Sequence, residues 1–259
     1  MIQHPRRTHP ILALALASLL APTLGCAMAE EDQEPGLTTI ELNGGERTWW
    51  RPDVVRLDFS NGASCSGTLV AHNVVITAAH CLGWVEWPFT SPDLPYGHAV
   101  FSQLIDGVPV ASAIPIVRGV VFGSDLVNDL ALVLLQYSKD LVPELQGVQP
   151  AWLASSYAPL GDHVYMFGYG CNRFDPGAAG QRQVQHWTFD GSRTFVACPG
   201  DSGGAVFGDS VGLFGVITGE CFIDPNDGLW TCLDVWASVP PRYAELQWWI
   251  ERWAQGHLI

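Results

Sequence analysis

The stretch Cys-Pro-Gly-Asp-Ser-Gly-Gly, residues 198–204, is the part of this sequence on which its interpretation turns. It places Ser202 directly after Asp201, with Gly200 and Gly203 on either side. Glycine tolerates positive φ and close backbone approach, so such a turn can present a serine hydroxyl while backbone N–H groups point at one spot. That spot could hold an oxyanion if the hydroxyl attacked a carbonyl carbon. Ordinary turns share this composition, so the decisive question is whether the chain also supplies a base and an orienting acid.

The composition is that of a globular protein rather than a disordered one. The chain has 259 residues, of which 48% are hydrophobic and 15% charged, enough for one large domain or two small ones with their own cores. A net charge of −14 argues against a nucleic-acid partner, because few basic side chains are available to neutralise phosphates. Eleven tryptophans and 27 glycines favour β-structure with many turns.

Residues 1–29 have the features of an export signal. Arg6 and Arg7 precede an apolar run at 11–20, which is too short to span a bilayer. Cleavage after Ala-Met-Ala at 27–29, which fits the small-x-small pattern, would leave residues 30–41 as a leader or spacer. Alternatively, Cys26 ends a loose match to a bacterial lipoprotein signal and carries the lipid. We therefore expect a secreted or cell-envelope protein (periplasmic, or an outer-membrane lipoprotein), attached to a membrane only through such a lipid.

Cysteine parity agrees with export. Either signal ending removes Cys26 from the count of seven and leaves six. An even number of cysteines in an exported chain predicts three disulfides. No two of the six form a C-x-x-C pair, so we expect no structural zinc site and no other metal or cofactor. The six are Cys65, Cys81, Cys171, Cys198, Cys221 and Cys232.

A histidine follows three predicted strands, at 54–59, 65–69 and 74–77. The third strand ends in Ala-Ala-His-Cys, residues 78–81, so that His80 follows small residues and precedes a cysteine expected in a disulfide. A ring in such a place can be held rigidly, which makes His80 the candidate base. Other histidines are interpreted as structural or surface residues: His72, His98, His163 and His186.

An aspartate stands at the start of the most apolar strand. The run at 130–135 is wholly apolar and predicts a buried strand. A carboxylate at the mouth of a buried strand is costly unless it has hydrogen-bond donors. Asp129 is therefore the candidate functional carboxylate, whereas Asp125 is better explained as a turn cap.

The polar, proline-containing segment 138–150 is the best candidate for a domain linker. It would separate a first β-domain, 42–137, from a second, 151–240. The segment 241–255 contains the one convincing helix, because its large apolar residues recur at helical spacing and predict a face docked on the body.

Histidine, aspartate and serine, in that chain order, form a set suited to nucleophilic acyl transfer. A serine hydroxyl is a weak nucleophile at neutral pH and needs a base, which in turn needs a carboxylate to fix its tautomer. The order excludes the α/β-hydrolase arrangement, in which the serine comes first.

On these residues the chain resembles the chymotrypsin/trypsin-family serine proteases. The resemblance lies in Thr-Ala-Ala-His-Cys at 77–81, Asn-Asp-Leu-Ala-Leu at 128–132 and Gly-Asp-Ser-Gly-Gly at 200–204, and it covers roughly residues 40–255. It implies an all-β fold of two six-stranded antiparallel β-barrels, with the site in the cleft between them and a C-terminal α-helix.

The same resemblance implies roles for individual residues. His80 would be the general base and then acid, Asp129 would orient it, and Ser202 would be the nucleophile. The backbone N–H groups of Gly200 and Ser202 would form the oxyanion hole. Thr218 stands where the family usually has a serine near the orienting aspartate.

The implied substrate pocket departs from that of trypsin. Val196 occupies the position six residues before the nucleophile, which favours an apolar or small side chain at the substrate position P1. Asp234, which aligns with a small residue of the pocket wall, leaves open the capture of a lysine or arginine. The full set of implied pocket residues is Val196, Ala197, Pro199, Thr218, Gly219 and Asp234.

Two further features stay open at the level of sequence. Leu-Asn-Gly-Gly at 42–45 only partly matches the new N-terminus that family members form on activation, so Asp201 either pairs with a freed amine or needs none. The resemblance implies a Cys65–Cys81 disulfide. Family practice suggests Cys198–Cys221, leaving Cys171–Cys232, but Cys171–Cys198 with Cys221–Cys232 is an alternative.

We therefore expect a monomeric, exported serine endopeptidase that cleaves proteins or peptides through an acyl-enzyme. The alternative is a catalytically silent homologue that acts as an extracellular binding module. Such homologues usually lose a residue of the triad, and none is lost here, which favours the enzyme.

Overall fold

The computed structural model describes residues 45–60, 62–83, 97–123, 125, 127–136, 147–170, 180–191, 197–223 and 230–256, with the backbone alone at 220–223 and 230–234. All of them belong to one compact unit, residues 34–259. Two antiparallel sheets and one α-helix account for the regular structure of these residues.

The first sheet closes into a six-stranded barrel in the order β2-β3-β4-β7-β6-β5. Strands β4 and β7 pair with each other and are buried along their whole length, as expected for continuous apolar runs. The strand bounds are β2 Val54–Phe59, β3 Ser64–Ala71, β4 Val74–Thr77, β5 Gly97–Ile105, β6 Val108–Val121 and β7 Ala131–Leu135.

The second sheet is also six-stranded and antiparallel, in the order β1-β9-β8-β10-β11-β12. Its first strand, β1, precedes the barrel in the chain. It pairs with β9, and Glu46 lies opposite Val184. The bounds are β1 Glu46–Arg47, β8 His163–Gly168, β9 Gln183–Thr188, β10 Ala205–Gly208, β11 Gly212–Ile223 and β12 Trp230–Ser238.

The expected fold class is confirmed, and the strand-level differences have simple causes. Residues 108–121 form one long strand, β6, with a register shift between Ile116 and Arg118. Neither β1 nor β9 was expected, because β1 has only two residues and β9 is largely polar in sequence. The domain bounds stay a prediction, since most of the proposed linker lies outside the described residues.

The helix α1, Tyr243–Ala254, follows a single 3₁₀ turn at Pro240–Arg242. One face of α1 is buried, through Leu246, Trp249, Ile250 and Trp253. This face packs on β3 and β4, and the Asn73 side chain donates to the carbonyl of Trp253 at 3.5 Å. The helix therefore docks on the first barrel.

Among the described residues, α1 included, no helix has both the length and the apolar character that a membrane crossing requires.

We expect Leu246→Ala to lower the free energy of unfolding by about 2–5 kcal/mol, because a fully buried leucine leaves a cavity under α1. Urea unfolding followed by tryptophan fluorescence measures the change. Glu251→Ala, on the exposed face of the same helix, is the control and should stay within about 0.5 kcal/mol of the unmodified protein. Equal effects of the two substitutions would contradict the docking of α1.

Candidate active site

The His80 ring is held by the turn that follows β4. Residues Ala79–Leu82 form a single 3₁₀ turn, which Gly83 ends in the left-handed conformation at φ 79°. The expected Cys65–Cys81 disulfide is present and ties this turn to β3. Because the histidine lies between a strand end and a covalent cross-link, its backbone has little freedom to move.

Asp129 lies fully buried at the start of β7 and accepts three hydrogen bonds. Its Oδ1 accepts the backbone N–H of His80 at 2.9 Å, and its Oδ2 lies 2.6 Å from His80 Nδ1. The hydroxyl of Thr218 also donates to Oδ2. A carboxylate beside Nδ1 favours the tautomer that carries its proton there, which leaves Nε2 free to accept a proton.

Ser202 lies on the other side of the same disulfide. Cys81 Sγ is 3.9 Å from His80 Nε2 and 3.7 Å from the carbonyl oxygen of Ser202. The loop is forced close to the barrel by Gly203, where a Cβ would come within 2.1 Å of Ser66 O and Thr77 Oγ1. The sulfur of Cys81 therefore lies close both to the imidazole, which follows β4 of the first sheet, and to the backbone of the serine loop, which precedes β10 of the second.

The loop leaves two backbone donors unused. The N–H groups of Asp201, Gly203 and Gly204 donate to carbonyl oxygens within the fold, and Pro199 has no N–H. In the part of the chain that the structure describes, the N–H groups of Gly200 and Ser202 donate to no protein acceptor. A pair of unused donors beside a serine is the arrangement that binds an oxyanion.

Asp201 stabilises the serine loop by accepting hydrogen bonds from two backbone N–H groups. Its side chain is buried and accepts the N–H of Gly170 at 2.7 Å and that of Cys198 at 2.9 Å. A Cβ at Gly168 would lie 2.1 Å from Asp201 Oδ1, and one at Gly170 would meet the same carboxylate at 2.5 Å. Neither glycine lies in a motif that would identify it from sequence, although together they make the room that the carboxylate occupies.

The expected pocket residues are only partly described. Thr218 is buried against Asp129, and the half-buried Gly219 follows it on β11, opposite Asp234 in the ladder. Ala197 is half-buried and Pro199 is exposed at the start of the serine loop. Val196 lies outside the described residues, as does the side chain of Asp234, and so does residue 42 of the expected activation site.

One cluster near the site contains residue types that often bind metal ions. Potential ligand atoms of Cys65, His80 and Cys81 lie within 4.8 Å of one another. Both sulfurs are consumed by the disulfide, and zinc requires deprotonated thiolates. The cluster therefore cannot supply these cysteine ligands.

A closed antiparallel barrel, a second antiparallel sheet and a C-terminal helix, with a histidine–aspartate pair facing a serine loop, define a chymotrypsin-like architecture. Residues 43–228 match the trypsin family, and because this match covers more than half of the chain, the protein belongs to the trypsin family of serine proteases.

Two insect proteins illustrate how distant its relatives are. The chain is 27% identical to trypsin theta of Drosophila erecta over 168 residues, which are 62% of this chain and 58% of that protein. It is 32% identical to the serine protease SP24D of Anopheles gambiae over 121 residues, 46% of this chain and 42% of that protein. The chain spans about half the length of these relatives.

The backbone favours one of the two open disulfide pairings. Cys221 and Cys232 are direct partners in the β11–β12 ladder, where opposite residues lie at distances that suit a disulfide. Cys198 is itself disulfide-bonded. Its backbone N–H shares the Asp201 carboxylate with that of Gly170, the residue before Cys171. Cys171 and the side chains of Cys221 and Cys232 lie outside the description.

We expect disulfides Cys171–Cys198 and Cys221–Cys232. Digestion without reduction, followed by mass spectrometry of the linked peptides, identifies the pairs. The Cys65–Cys81 peptide is the internal control. Recovery of Cys198 linked to Cys221 would contradict this assignment and favour the pairing usual in the family.

Proposed function

We propose that the protein is a serine endopeptidase that hydrolyses peptide bonds through an acyl-enzyme on Ser202. The observation that carries this proposal is the fully buried Asp129, which accepts hydrogen bonds from both the backbone and the ring of His80. Burial of a carboxylate is costly unless donors surround it. A site that holds one against an imidazole, beside a serine loop with two free N–H groups, is suited to acyl transfer.

In the proposed reaction, His80 Nε2 takes the proton from Ser202 Oγ as this oxygen bonds to the substrate carbonyl carbon. The carbonyl oxygen becomes an oxyanion held by the N–H groups of Gly200 and Ser202. The C–N bond then breaks, and His80 returns the proton to the leaving amine. A water molecule, deprotonated by the same nitrogen, releases the acyl group and restores the Ser202 hydroxyl.

Asp129 and Thr218 support the base in this scheme. The carboxylate holds the proton of the neutral ring at Nδ1 and stabilises the imidazolium that forms after proton transfer. The Thr218 hydroxyl, buried on β11, donates a hydrogen bond to Asp129 Oδ2, the same oxygen that contacts the His80 ring. The second sheet therefore helps to fix a carboxylate that belongs to the first barrel.

The proposed substrate preference is an apolar or small P1 side chain. Val196 at the position six residues before Ser202 offers no charge for a lysine or arginine. Gly219, which is half-buried on β11, has no side chain of its own to occupy the proposed pocket. Asp234, its partner in the ladder, is the one acidic residue on this part of β12.

The proposed setting is outside the cell or in its envelope. Residues 1–29 have the pattern of an export signal, with lipidation of Cys26 as its alternative ending. Three disulfides would persist in such an oxidising compartment. We further propose that the enzyme works as a monomer on proteins or peptides, without a nucleic-acid partner or a cofactor.

A fluorophosphonate probe tests the proposed chemistry directly. The exported protein should be labelled at Ser202, and Ser202→Ala should remove the label, because only an activated serine reacts with the probe. Trypsin family members with an unformed site become reactive after a cut, so protein cleaved near residues 40–42 is assayed in parallel. Absence of labelling in both forms would refute the enzyme and favour the silent binding module.

The P1 preference is tested with a panel of peptide substrates that differ only at P1. We expect kcat/KM to be at least about tenfold higher for leucine, phenylalanine or alanine than for arginine, since an apolar pocket penalises a buried unpaired charge. Asp234→Ala should leave this order unchanged. Fast cleavage after arginine that Asp234→Ala abolishes would overturn the proposal.

A further inference from the structure

Ser66 links the first barrel to the serine loop. It lies outside the three sequence motifs and has no role in the proposed reaction. It lies on β3, fully buried, next to Cys65. Its hydroxyl donates to the carbonyl of Gly200 at 2.7 Å and accepts the N–H of Tyr169 at 2.9 Å. Its backbone N–H donates to the carbonyl of Ser202 at 2.7 Å.

These contacts fall on the two residues with unused N–H groups. Gly200 and Ser202 are the proposed oxyanion donors, and Ser66 holds the carbonyl of each. Gly200 adopts φ +100°, a region that glycine enters and leaves at little cost. A glycine in this conformation needs an external contact to keep its peptide groups in one orientation.

The hydroxyl contact to Gly200 has no substitute nearby. Among the residues that the structure describes, Ser66 Oγ is the one hydrogen-bond donor to the Gly200 carbonyl. Gly200 has no side chain to anchor it, and its chain neighbour Pro199 is exposed. Loss of the hydroxyl leaves the Gly200–Asp201 peptide held only by the hydrogen bond from the Asp201 N–H to the Cys198 carbonyl, among the described residues, and so loosens the conformation of Gly200.

The other partner of the hydroxyl is anchored independently. The phenol of Tyr169 donates to the carbonyl of Val54 at 3.1 Å and accepts from Arg182 Nη1 at 3.1 Å. Burial raises the pKa of this phenol, so that it stays a neutral donor. Removal of the Ser66 hydroxyl should leave Tyr169 in place and disturb Gly200 selectively.

We propose that Ser66 is a positioning residue for the oxyanion hole: its hydroxyl fixes the carbonyl of Gly200, limits rotation about this residue and so keeps the adjoining Gly200 N–H directed at the reacting carbonyl. This inference rests on the proposed protease activity. It assigns to the first barrel a part in shaping the loop that carries the nucleophile. The Cys65–Cys81 disulfide keeps Ser66 in register with His80, so base and oxyanion donors share one support.

The test compares Ser66→Ala with the unmodified enzyme on a peptide amide substrate. We expect kcat to fall by about 10- to 100-fold, toward the loss seen when an oxyanion donor is removed, with KM within about twofold. The affinity for a peptide trifluoromethyl ketone, which forms a tetrahedral adduct, should fall in parallel. The affinity for the matching product carboxylate, which forms no adduct, should stay within about twofold.

Thr68→Val is the matched control. Thr68 lies two residues further along β3 and is equally buried, and its hydroxyl has no hydrogen-bond partner among the described residues. The substitution therefore removes a buried hydroxyl of the same barrel without touching the serine loop, and kcat should stay within about twofold. Ser66→Thr keeps the hydroxyl and should restore most of kcat, and Ser66→Gly serves if the alanine variant fails to fold.

The measurements distinguish a positioning role of Ser66 from a general effect on the barrel and from a lack of protease activity. An active enzyme whose kcat is unchanged by Ser66→Ala or Ser66→Gly overturns the positioning role, even if urea unfolding shows a loss of stability. Equal losses of kcat in Ser66→Ala and Thr68→Val also overturn it, because the effect would then be general to the barrel. An inert unmodified protein after processing overturns the proposed protease and this inference with it.

Discussion

The buried carboxylate of Asp129 is the constraint on which the rest of this structure depends. A charge at a fully buried position is tolerated only where donors converge on it, and here they come from two sheets. His80 and Thr218 can meet at Asp129 only if the barrel and the second sheet keep a fixed relation. Stabilisation of the Asp129 charge therefore requires the barrel and the second sheet to pack against each other.

The position of the loop around Ser202 is also fixed by buried contacts. It is held by contacts that demand the absence of a side chain, as at Gly203 against the barrel, and by buried polar groups such as Asp201. Glycine loses more conformational entropy on folding than other residues do, and the close contacts that it allows must offset this cost in free energy. The loop is therefore ordered by its surroundings rather than by its own sequence.

Much of the architecture could be predicted from sequence because its signals are local. Alternation and apolar runs place most strands, and His80, Asp129 and Ser202 each stand in a short motif at the end of such an element. The contact between Ser66 and Gly200, 134 positions apart, has no local signal. The two-residue strand β1 likewise acquires its structure only from β9, so no pattern within it is informative.

The position of α1 has a consequence for how the protein is made. The helix follows both sheets in the chain, yet its apolar face covers β3 and β4, the strands that lead to His80. During synthesis the barrel strands therefore emerge well before the segment that covers them, although domains generally fold as units. A chain that terminates before residue 243 leaves this hydrophobic surface open to aggregation or proteolysis.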